Sequence, residues 1–554
     1  MDAGSSETLN TVPESNKREN EAEAGSSDAK RTKVEHDGET TDRNATIISP
    51  LDSEDASRKE TNKEGKKSKK EARREWAGRK RRGTRPEKPE DGQDSAEGED
   101  DAVTEKALRL PKRKCALLIG FCGSGYRGMQ IQPEGPTIEG SLFKALIAAG
   151  AVSKDNADDP VKVGLQRAAR TDAGVHAAGN VVSLKLITHV PGVPDLVART
   201  NEELPPEIRL WSFTRVQNSF NARVSCDSRR YTYFFPSYML IPPKPTSALF
   251  RSIARYSTPE SASRQPDPFW QNLDLETSRE EDMIRKKAWR VSKEKMEVLR
   301  EAAKRFEGTR NFHNFTVGRD PKDRSCFRHM KKIEVDDPIV YGRTEWISVM
   351  LHGQSFMLHQ LPLQIRKMMC VLVTAVRTGT PSSIINALYG KALVTIPKMP
   401  SLGLLLENPI FDSYNKRVDA ANEQKKLDPE HHDYRSAISF ERHAEEMQKF
   451  KEEFIYNRMR ENEEKLQVFD RWQNIFDRYN GNDLLYYNSQ GIIPEEAVIR
   501  KGESRPNPFR ERRRFDATDF APNAGASALA EEEAEEEETE EEKLGKKELE
   551  EAEG

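Results

Sequence analysis

An isolated carboxylate lies among small residues in the stretch RAARTDAGVHA, which runs from residue 167 to residue 177. Asp172 follows Arg170 by two positions, and in an extended loop such residues point to the same side of the backbone. The guanidinium and the carboxylate could therefore share one cleft, where a cationic neighbour keeps the acid ionised at neutral pH. An ionised carboxylate can act as nucleophile, base, metal ligand or structural ion-pair partner. The spacing alone favours the structural ion pair, and a catalytic role is the alternative.

A metal site is not indicated by the histidines and cysteines of the chain. His176 stands alone, and a lone loop histidine more often hydrogen-bonds to its own loop than binds a metal. No second histidine or cysteine follows at zinc-finger or metalloprotease spacing. The five cysteines are scattered and form no Cys-x-x-Cys pair. We therefore expect no metal and no disulfide framework, but buried or incidental thiols in a reducing compartment.

Basic and aromatic residues alternate in SFNARVSCDSRRYTYF, residues 219–234. Arg223 and Arg229 lie among aromatic residues, and Tyr231 and Tyr233 share one face of a predicted strand. This pattern suits contact with phosphates and a stacked base. A tyrosine-containing strand that simply packs in a sheet is the alternative.

Two further stretches, GTRNFHNFT at 308–316 and HGQSFMLHQ at 352–360, are unusually polar. They contain more polar groups than a core accepts without hydrogen-bond partners. We predict that both stretches form rims of a pocket.

Composition limits the protein class. Of the 554 residues, 35% are hydrophobic and 33% are charged, so much of the chain cannot belong to a core. No apolar run approaches the roughly 18 residues of a membrane span, and the N-terminus lacks the apolar region of a signal peptide. We therefore expect a soluble, intracellular protein with no membrane partner.

Charge is unevenly distributed along the chain. Residues 531–554 contain 14 Glu and 3 Lys, a net charge of −11. The whole chain has a net charge of −4, so the remaining residues carry +7, which indicates a polyanionic partner. Residues 58–85 contain 14 Lys or Arg against 4 Glu. That cluster favours a nuclear-import signal or an auxiliary nucleic-acid arm over a plain charged linker.

Patterning predicts an α+β body of two related halves, since strand and helix units recur with antiparallel hairpins. The strands are predicted at 115–121, 180–186, 208–216, 229–236, 328–335 and 344–353, and helices at 137–150, up to about 305, 365–379 and 437–480. In the last region apolar residues recur at helical spacing, while Lys449, Lys451, Arg458 and Arg460 form a basic face that is solvated or contacts phosphates.

Composition shifts divide the chain into six segments. They are a disordered tail with a basic cluster (1–112), the N-terminal half of the body (113–251), a polar surface insertion (252–285), the C-terminal half (286–415), a helical extension (416–515) and a disordered acidic tail (516–554).

Several of these stretches together resemble the TruA family of pseudouridine synthases. RAARTDAGVHA resembles the catalytic loop of that family, and six further stretches match in order: GYRGMQ (125–130), SFNARVSCDSRRYTY (219–233), FHNFT (312–316), GQSFMLHQ (353–360), IRKMM (365–369) and PSLGLLLENPIFDSYN (400–415). The resemblance spans about 113–415 and excludes both charged tails. It is strongest to eukaryotic multisite members, which also carry a helical C-terminal extension.

The resemblance implies a fold and a reaction. The expected fold has two related α+β halves, with antiparallel or mixed sheets, helices on their flanks and a central basic cleft. The expected reaction breaks the N1–C1′ bond of a uridine and forms a C5–C1′ bond, so no cofactor is needed. A buried, ionised carboxylate, Asp172 by resemblance, starts the reaction by attack on the nucleotide or by stabilising a detached base.

Other site residues follow from the same resemblance. Arg170 would hold the opened RNA, Tyr231 would stack on the uracil and help move a proton, and Arg366 would pair with Asp172. The substrate-binding predictions comprise two residues from the family motif that would pack on the uracil, and three from the basic and polar stretches: Leu404 and Leu406, then Arg223, His313 and Gln354.

The sequence departs from the family pattern at LPLQ, residues 361–364, which separates GQSFMLHQ from IRKM. If a helix begins before the insertion, four extra residues exceed one turn and displace Arg366. If the helix begins after it, Pro362 lies near the first turn, where proline is tolerated. A misassigned exon edge would also explain the insertion.

These observations predict a pseudouridine synthase that acts on tRNA, with small nuclear or messenger RNA as further substrates. The alternative is a noncatalytic RNA-binding or chaperone protein on the same scaffold, if the insertion disables the site. We expect a monomer located in the nucleus, with a mitochondrial or cytoplasmic pool left open. A metal-dependent nuclease would need clustered carboxylates, which the sequence does not suggest.

Overall fold

A computed structural model describes residues 110–520 apart from ten short gaps. The gaps are 134, 260–266, 272–276, 317–318, 355–360, 501–502, 504, 506–508, 510 and 515–516. The predictions of disordered tails, a basic cluster and an acidic end therefore fall almost entirely outside the described residues.

Within these residues, ten strands form one mixed sheet. They are β1 (Lys112–Phe121), β2 (Gln166–Arg167), β3 (His176–Ile187), β4 (Ile208–Arg215), β5 (Ser228–Pro236), β6 (Gly308–Asn311), β7 (Phe327–Val335), β8 (Ile339–Tyr341), β9 (Thr344–Gln354) and β10 (Leu404–Ile410). The order is β4-β1-β3-β10-β5-β9-β7-β6, with β2 on β3 and β8 on β9. β10 runs parallel to β3 and antiparallel to β5.

Helices account for most of the remaining described structure. They are α1 (Ile138–Ala148), α2 (Leu196–Glu203), α3 (Ala248–Ala254), α4 (Arg279–Ala288), α5 (Lys293–Lys304), α6 (Leu361–Thr378), α7 (Ser383–Ala387), α8 (Asp412–Gln424), α9 (Ala444–Phe450), α10 (Asn457–Leu466) and α11 (Val468–Arg478). A π-helical turn, Lys451–Tyr456, joins α9 to α10, and a separate hairpin consists of β11 (Glu511–Arg514) and β12 (Ala517–Phe520). The α+β prediction is confirmed. None of these helices is long and apolar enough to cross a membrane.

Local sequence explains where α1 begins. The Thr137 hydroxyl accepts a hydrogen bond from the Gly140 amide, which satisfies a donor that the first helical turn leaves unpaired. Leu142 and Leu146 are fully buried on the inner face of this helix. The predicted helix and the observed one therefore agree to within one or two residues at each end.

Helix α6 is the buried centre of the fold. Its side chains from residue 363 to residue 376 are all buried, and a helix that is covered all round belongs inside a protein. The helix spans Leu361–Thr378, so the LPLQ insertion is helical and the alternative in which the helix begins after the insertion was wrong. The predicted displacement of Arg366 by the insertion stays a prediction.

Both faces of the sheet are covered along β1. Leu117 and Ile119 join the large core that contains α1 and α6, while Ala116 and Leu118 face the opposite way. The second face is closed by residues around α8, including Tyr414. This double burial explains why β1 reads as a continuous apolar run rather than an alternating one.

The C-terminal helices pack against the sheet, as the helical periodicity predicted. The rings of Trp211 and Phe450 meet edge to face at 5.4 Å, and Arg377 of α6 binds the Asp477 carboxylate with both terminal nitrogens. The segment predicted as a surface insertion also contributes to the core, because Met283 of α4 is 3% exposed.

Candidate active site

Asp172 lies on the loop of residues 168–175, here called the Asp172 loop, which connects β2 to β3. The Asp172 side chain is exposed, whereas Arg170 is half-buried and Thr171 is buried. The expectation of a buried carboxylate was wrong. The loop backbone packs against the protein and turns through Gly174, which has φ +71°, so the carboxylate faces outward.

The N-terminal part of the Asp172 loop is held by side chains from two strands. The Asn180 side chain of β3 accepts from the Ala169 amide at 3.2 Å and donates to the Ala169 carbonyl at 2.9 Å. Arg229 of β5 donates from Nε to the Ala168 carbonyl at 3.1 Å and donates a second bond from Nη2. Arg229, predicted to contact phosphates, thus positions the loop.

Residues 126–129, the 126–129 segment, hold the middle of the loop through backbone hydrogen bonds. The Met129 amide donates to the Thr171 carbonyl at 3.1 Å, and the Gly174 amide donates to the Tyr126 carbonyl at 3.2 Å. Gly128 lies between these bonds with φ +97°, and an added Cβ would be 2.6 Å from the Thr171 oxygen. The sequence at 128 therefore needs glycine both for its conformation and for this close approach.

His176 fixes the far end of the loop. The buried ring accepts a hydrogen bond at Nδ1 from the Gly123 amide at 3.1 Å, so the neutral tautomer carries its proton on Nε2. This hydrogen bond is structural, as expected, but its donor Gly123 follows β1 and does not belong to the Asp172 loop.

Tyr231 is one strand away from the beginning of β3, the strand that follows the Asp172 loop, because Leu406 of β10 pairs with both Ala177 and Tyr231. Tyr231 of β5 is fully buried and lies directly opposite Leu406 of β10. Burial raises the pKa of Tyr231 far above its usual value, and the negative charge of Asp172 raises it further, whereas Arg229 lowers it. The phenol therefore stays protonated at neutral pH and lies within the electrostatic range of the carboxylate.

The described contacts give Arg366 a different partner from the predicted one. Its guanidinium forms an ion pair with Glu511 of β11, and its Nε donates to the Met399 carbonyl at 2.6 Å. Glu511 also accepts hydrogen bonds from the Ser401 amide and hydroxyl at 3.2 and 2.9 Å. The buried guanidinium therefore binds a carboxylate distant in sequence, and the pairing of Arg366 with Asp172 stays a prediction.

The predicted substrate-binding residues have very different environments. Leu404 and Leu406 are fully buried in β10, and Leu404 lies opposite Tyr233. Arg223 is half-buried on the loop before β5, and Gln354 is exposed at the end of β9, opposite Ser228.

His313 belongs to the interior and not to a rim. It is 1% exposed, its Nε2 lies 3.3 Å from the Ala392 carbonyl, and burial lowers its pKa. Asn314 next to it binds the carbonyls of Leu388 and Ala392. The prediction that this stretch forms a pocket rim was wrong for His313, because its polar groups pair with backbone atoms inside the protein.

Comparison with known proteins decides the family. A family model described as tRNA pseudouridine synthase matches residues 302–412. The tRNA pseudouridine synthase 1 of Kluyveromyces lactis is 38% identical over 458 residues, which cover 73% of this chain and 79% of that protein. The chain belongs to the TruA family of pseudouridine synthases. The tRNA pseudouridine synthase 1 of Schizosaccharomyces pombe is 34% identical, covering 71% of this chain and 88% of that protein. The tRNA pseudouridine(27/28) synthase of Saccharomyces cerevisiae is 37% identical, and the match covers 54% of this chain and 85% of that protein.

One buried acid that sequence reasoning missed supports the site of this pseudouridine synthase. Glu139, at the second position of α1, is 1% exposed and forms an ion pair with Arg167. Its other oxygen accepts from the Ile131 amide at 3.2 Å, just after the 126–129 segment. Burial raises the pKa of Glu139, and Arg167 and Arg170 lower it. An acid two positions after a Thr cap was the only signal in the sequence, and such acids usually stabilise a helix end.

Two residues of the basic face predicted on the C-terminal helices bind other residues of the same protein. Lys451 binds Glu407 of β10 at 3.2 Å, and the Arg460 guanidinium lies 3.6 Å from the centre of the Tyr341 ring. Arg458 lies close enough to Cys122 to lower the pKa of that thiol, although burial raises it overall.

One group of possible metal ligands is found in the described part of the chain. Within the described residues, the group with ligand atoms close enough to hold an ion is His431, His432 and Asp433. All three are exposed and lie after α8, apart from the residues that contact the Asp172 loop.

Proposed function

We propose that this protein isomerises uridine to pseudouridine in tRNA, with Asp172 as the catalytic carboxylate. The proposal is supported by one observation above all. In a member of this family, the exposed Asp172 lies on a loop whose backbone is held from both sides, and the buried Tyr231 phenol lies within its electrostatic range. The names of the curated relatives supply the substrate class.

The reaction breaks the N1–C1′ bond and forms a C5–C1′ bond. N1 gains a proton, and the hydrogen on C5 leaves as a proton, so atoms balance without a redox partner or cofactor. Asp172 starts the reaction, either by attack on the nucleotide or by stabilising the detached base. Tyr231 remains neutral because of its burial, and it is the proposed donor or relay for the proton that moves between the two ring positions.

The uridine must leave its stack before it reaches Asp172, at a cost of a few kcal/mol. Arg170, half-buried two residues before Asp172, is the proposed residue that holds the opened RNA. Tyr231 and the β10 leucines, Leu404 and Leu406, form the proposed apolar wall against the uracil. Arg223 and Gln354 are proposed to contact RNA from the ends of β5 and β9.

The finer architecture is part of the same proposal. Residues 113–251 and 286–415 would form two related halves around a basic cleft, with the C-terminal helices as an extension that narrows it. A protein that recognises RNA by its shape can accept several target sites. The proposed substrates therefore include small nuclear and messenger RNA. We further propose that the protein is a monomer. The basic cluster at 58–85 supports a location in the nucleus.

Replacement of Asp172 tests the proposal. Purified wild-type protein should form pseudouridine in an unmodified tRNA transcript, and Asp172→Asn should form none while its tRNA affinity stays within twofold. Pseudouridine is mapped chemically, and affinity is measured by filter binding. Formation of pseudouridine by Asp172→Asn at the wild-type rate would refute the catalytic assignment.

A second candidate function is a noncatalytic RNA-binding or chaperone protein. It is favoured by the Glu511–Arg366 ion pair and by the LPLQ turn at the start of α6. Deletion of 361–364 separates the two candidates, with wild-type protein as the reference. Our proposal predicts an active wild type and no large gain after deletion, whereas an inactive wild type and an active deletion variant would support the second candidate.

A further inference from the structure

The 126–129 segment places an exposed cation beside the Asp172 loop. An added Cβ at Gly128 would lie 3.2 Å from the Asp172 carbonyl carbon, so the two backbones are in contact at this point, and Arg127 directly precedes Gly128. Arg127 and Asp172 are both exposed, so both residues are accessible at the protein surface.

The base of the Arg127 side chain is fixed from both sides. The Arg127 amide donates to the Pro136 carbonyl at 2.9 Å, and its own carbonyl accepts from the Gln132 side chain at 3.3 Å. The side-chain stem passes Gly135, where an added Cβ would lie 2.9 Å from Nε. Gly135, with φ +74°, thus leaves room for the Arg127 side chain to pass close to the backbone.

We propose that Arg127 binds a backbone phosphate next to the uridine that reacts at Asp172. This inference rests on the proposed function and adds a binding residue to it. A nucleotide turned out of its stack keeps a phosphate on each side, and these groups must be held while the base is displaced. Guanidinium groups bind phosphate through two parallel hydrogen bonds, and a stem already directed by its surroundings loses less entropy on binding.

The inference is tested by tRNA affinity over a series of salt concentrations. Loss of one phosphate contact should reduce the slope of log Kd against log salt by about 1. Arg127→Gln should show this reduction and a severalfold rise in KM with a smaller change in kcat. Arg127→Lys should keep most of the slope, because lysine keeps the positive charge. It loses the pair of parallel hydrogen bonds that a guanidinium makes to phosphate. The matched control is Lys304→Ala, an exposed cation at the end of α5, which should leave slope and KM unchanged.

An unchanged slope and KM in Arg127→Gln would overturn the inference. A lowered melting temperature in Arg127→Gln with an unchanged salt slope would also overturn it, because the side chain would then only support the loop. The slope is measured in the Asp172→Asn background as well, so binding is followed without catalysis. Failure of wild type to form pseudouridine would refute the proposed function, whereas the salt slopes would still decide the role of Arg127.

Discussion

Gly128→Ala should inactivate the protein by displacing Asp172 rather than by unfolding the chain. Gly128 has φ +97°, and a Cβ there would lie 2.6 Å from the Thr171 carbonyl oxygen and 3.2 Å from the Asp172 carbonyl carbon. Ordinary contacts begin at 3.4 Å, so the two backbones must separate by about 0.8 Å. Displacement of a reacting group by about 1 Å can lower a rate by about 100-fold.

Gly342→Ala is the matched control for this variant. Gly342 also has a positive φ, +60°, but no atom lies within 4 Å of the added Cβ. Both variants carry the backbone strain of a non-glycine residue, about 1–3 kcal/mol, and both should show lower melting temperatures. Single-turnover pseudouridine formation should fall about 100-fold in Gly128→Ala alone. Equal rates in the two variants would refute the reasoning that the 126–129 segment positions Asp172.

Three further predictions follow from other contacts. Arg229→Lys should lower kcat severalfold with little change in KM, because lysine cannot make both bonds to the Ala168 carbonyl; steady-state kinetics check this. Glu511→Ala should cost about 3 kcal/mol in urea unfolding, because buried Arg366 loses its carboxylate partner. Burial raises the pKa of Glu463 to about 8 in the folded protein, above the value of about 4.5 in the unfolded chain. The unfolded chain therefore loses this proton first, and the free energy of unfolding should fall as pH rises from about 4.5 to 8. Glu463→Gln should remove this decline, which is measured as the melting temperature at several pH values.

Local structure was predictable because short-range rules decide it. Tyr231, Tyr233 and Phe235 alternate along β5 and all three are buried on one face. Thr137 and the apolar spacing behind it located α1. The signals for such elements lie within a few residues of each other, so the sequence carries them without reference to the rest of the fold.

Long-range pairing was not predictable from the same rules. β10 joins the sheet between β3 and β5, which places Leu406 beside both Ala177 and Tyr231. No local pattern in an apolar strand specifies which neighbours it will have. The partner of Arg366 was missed for the same reason, since Glu511 is 145 positions away along the chain. The motif resemblance carried no information on Glu511, because that residue lies outside the matched stretches.

The position of Asp172 shows how the backbone of an exposed residue can be fixed by its neighbours. In the proposed function this carboxylate must contact RNA, so it has to remain accessible, and side-chain packing cannot fix its place. The hydrogen bonds to residues 168, 169, 171 and 174 fix the backbone on both sides of it instead. Those contacts come from three separate parts of the chain, the 126–129 segment, β3 and β5. The accuracy of the site therefore depends on residues that do not contact the substrate, and variants of these supports should change kcat more than RNA affinity.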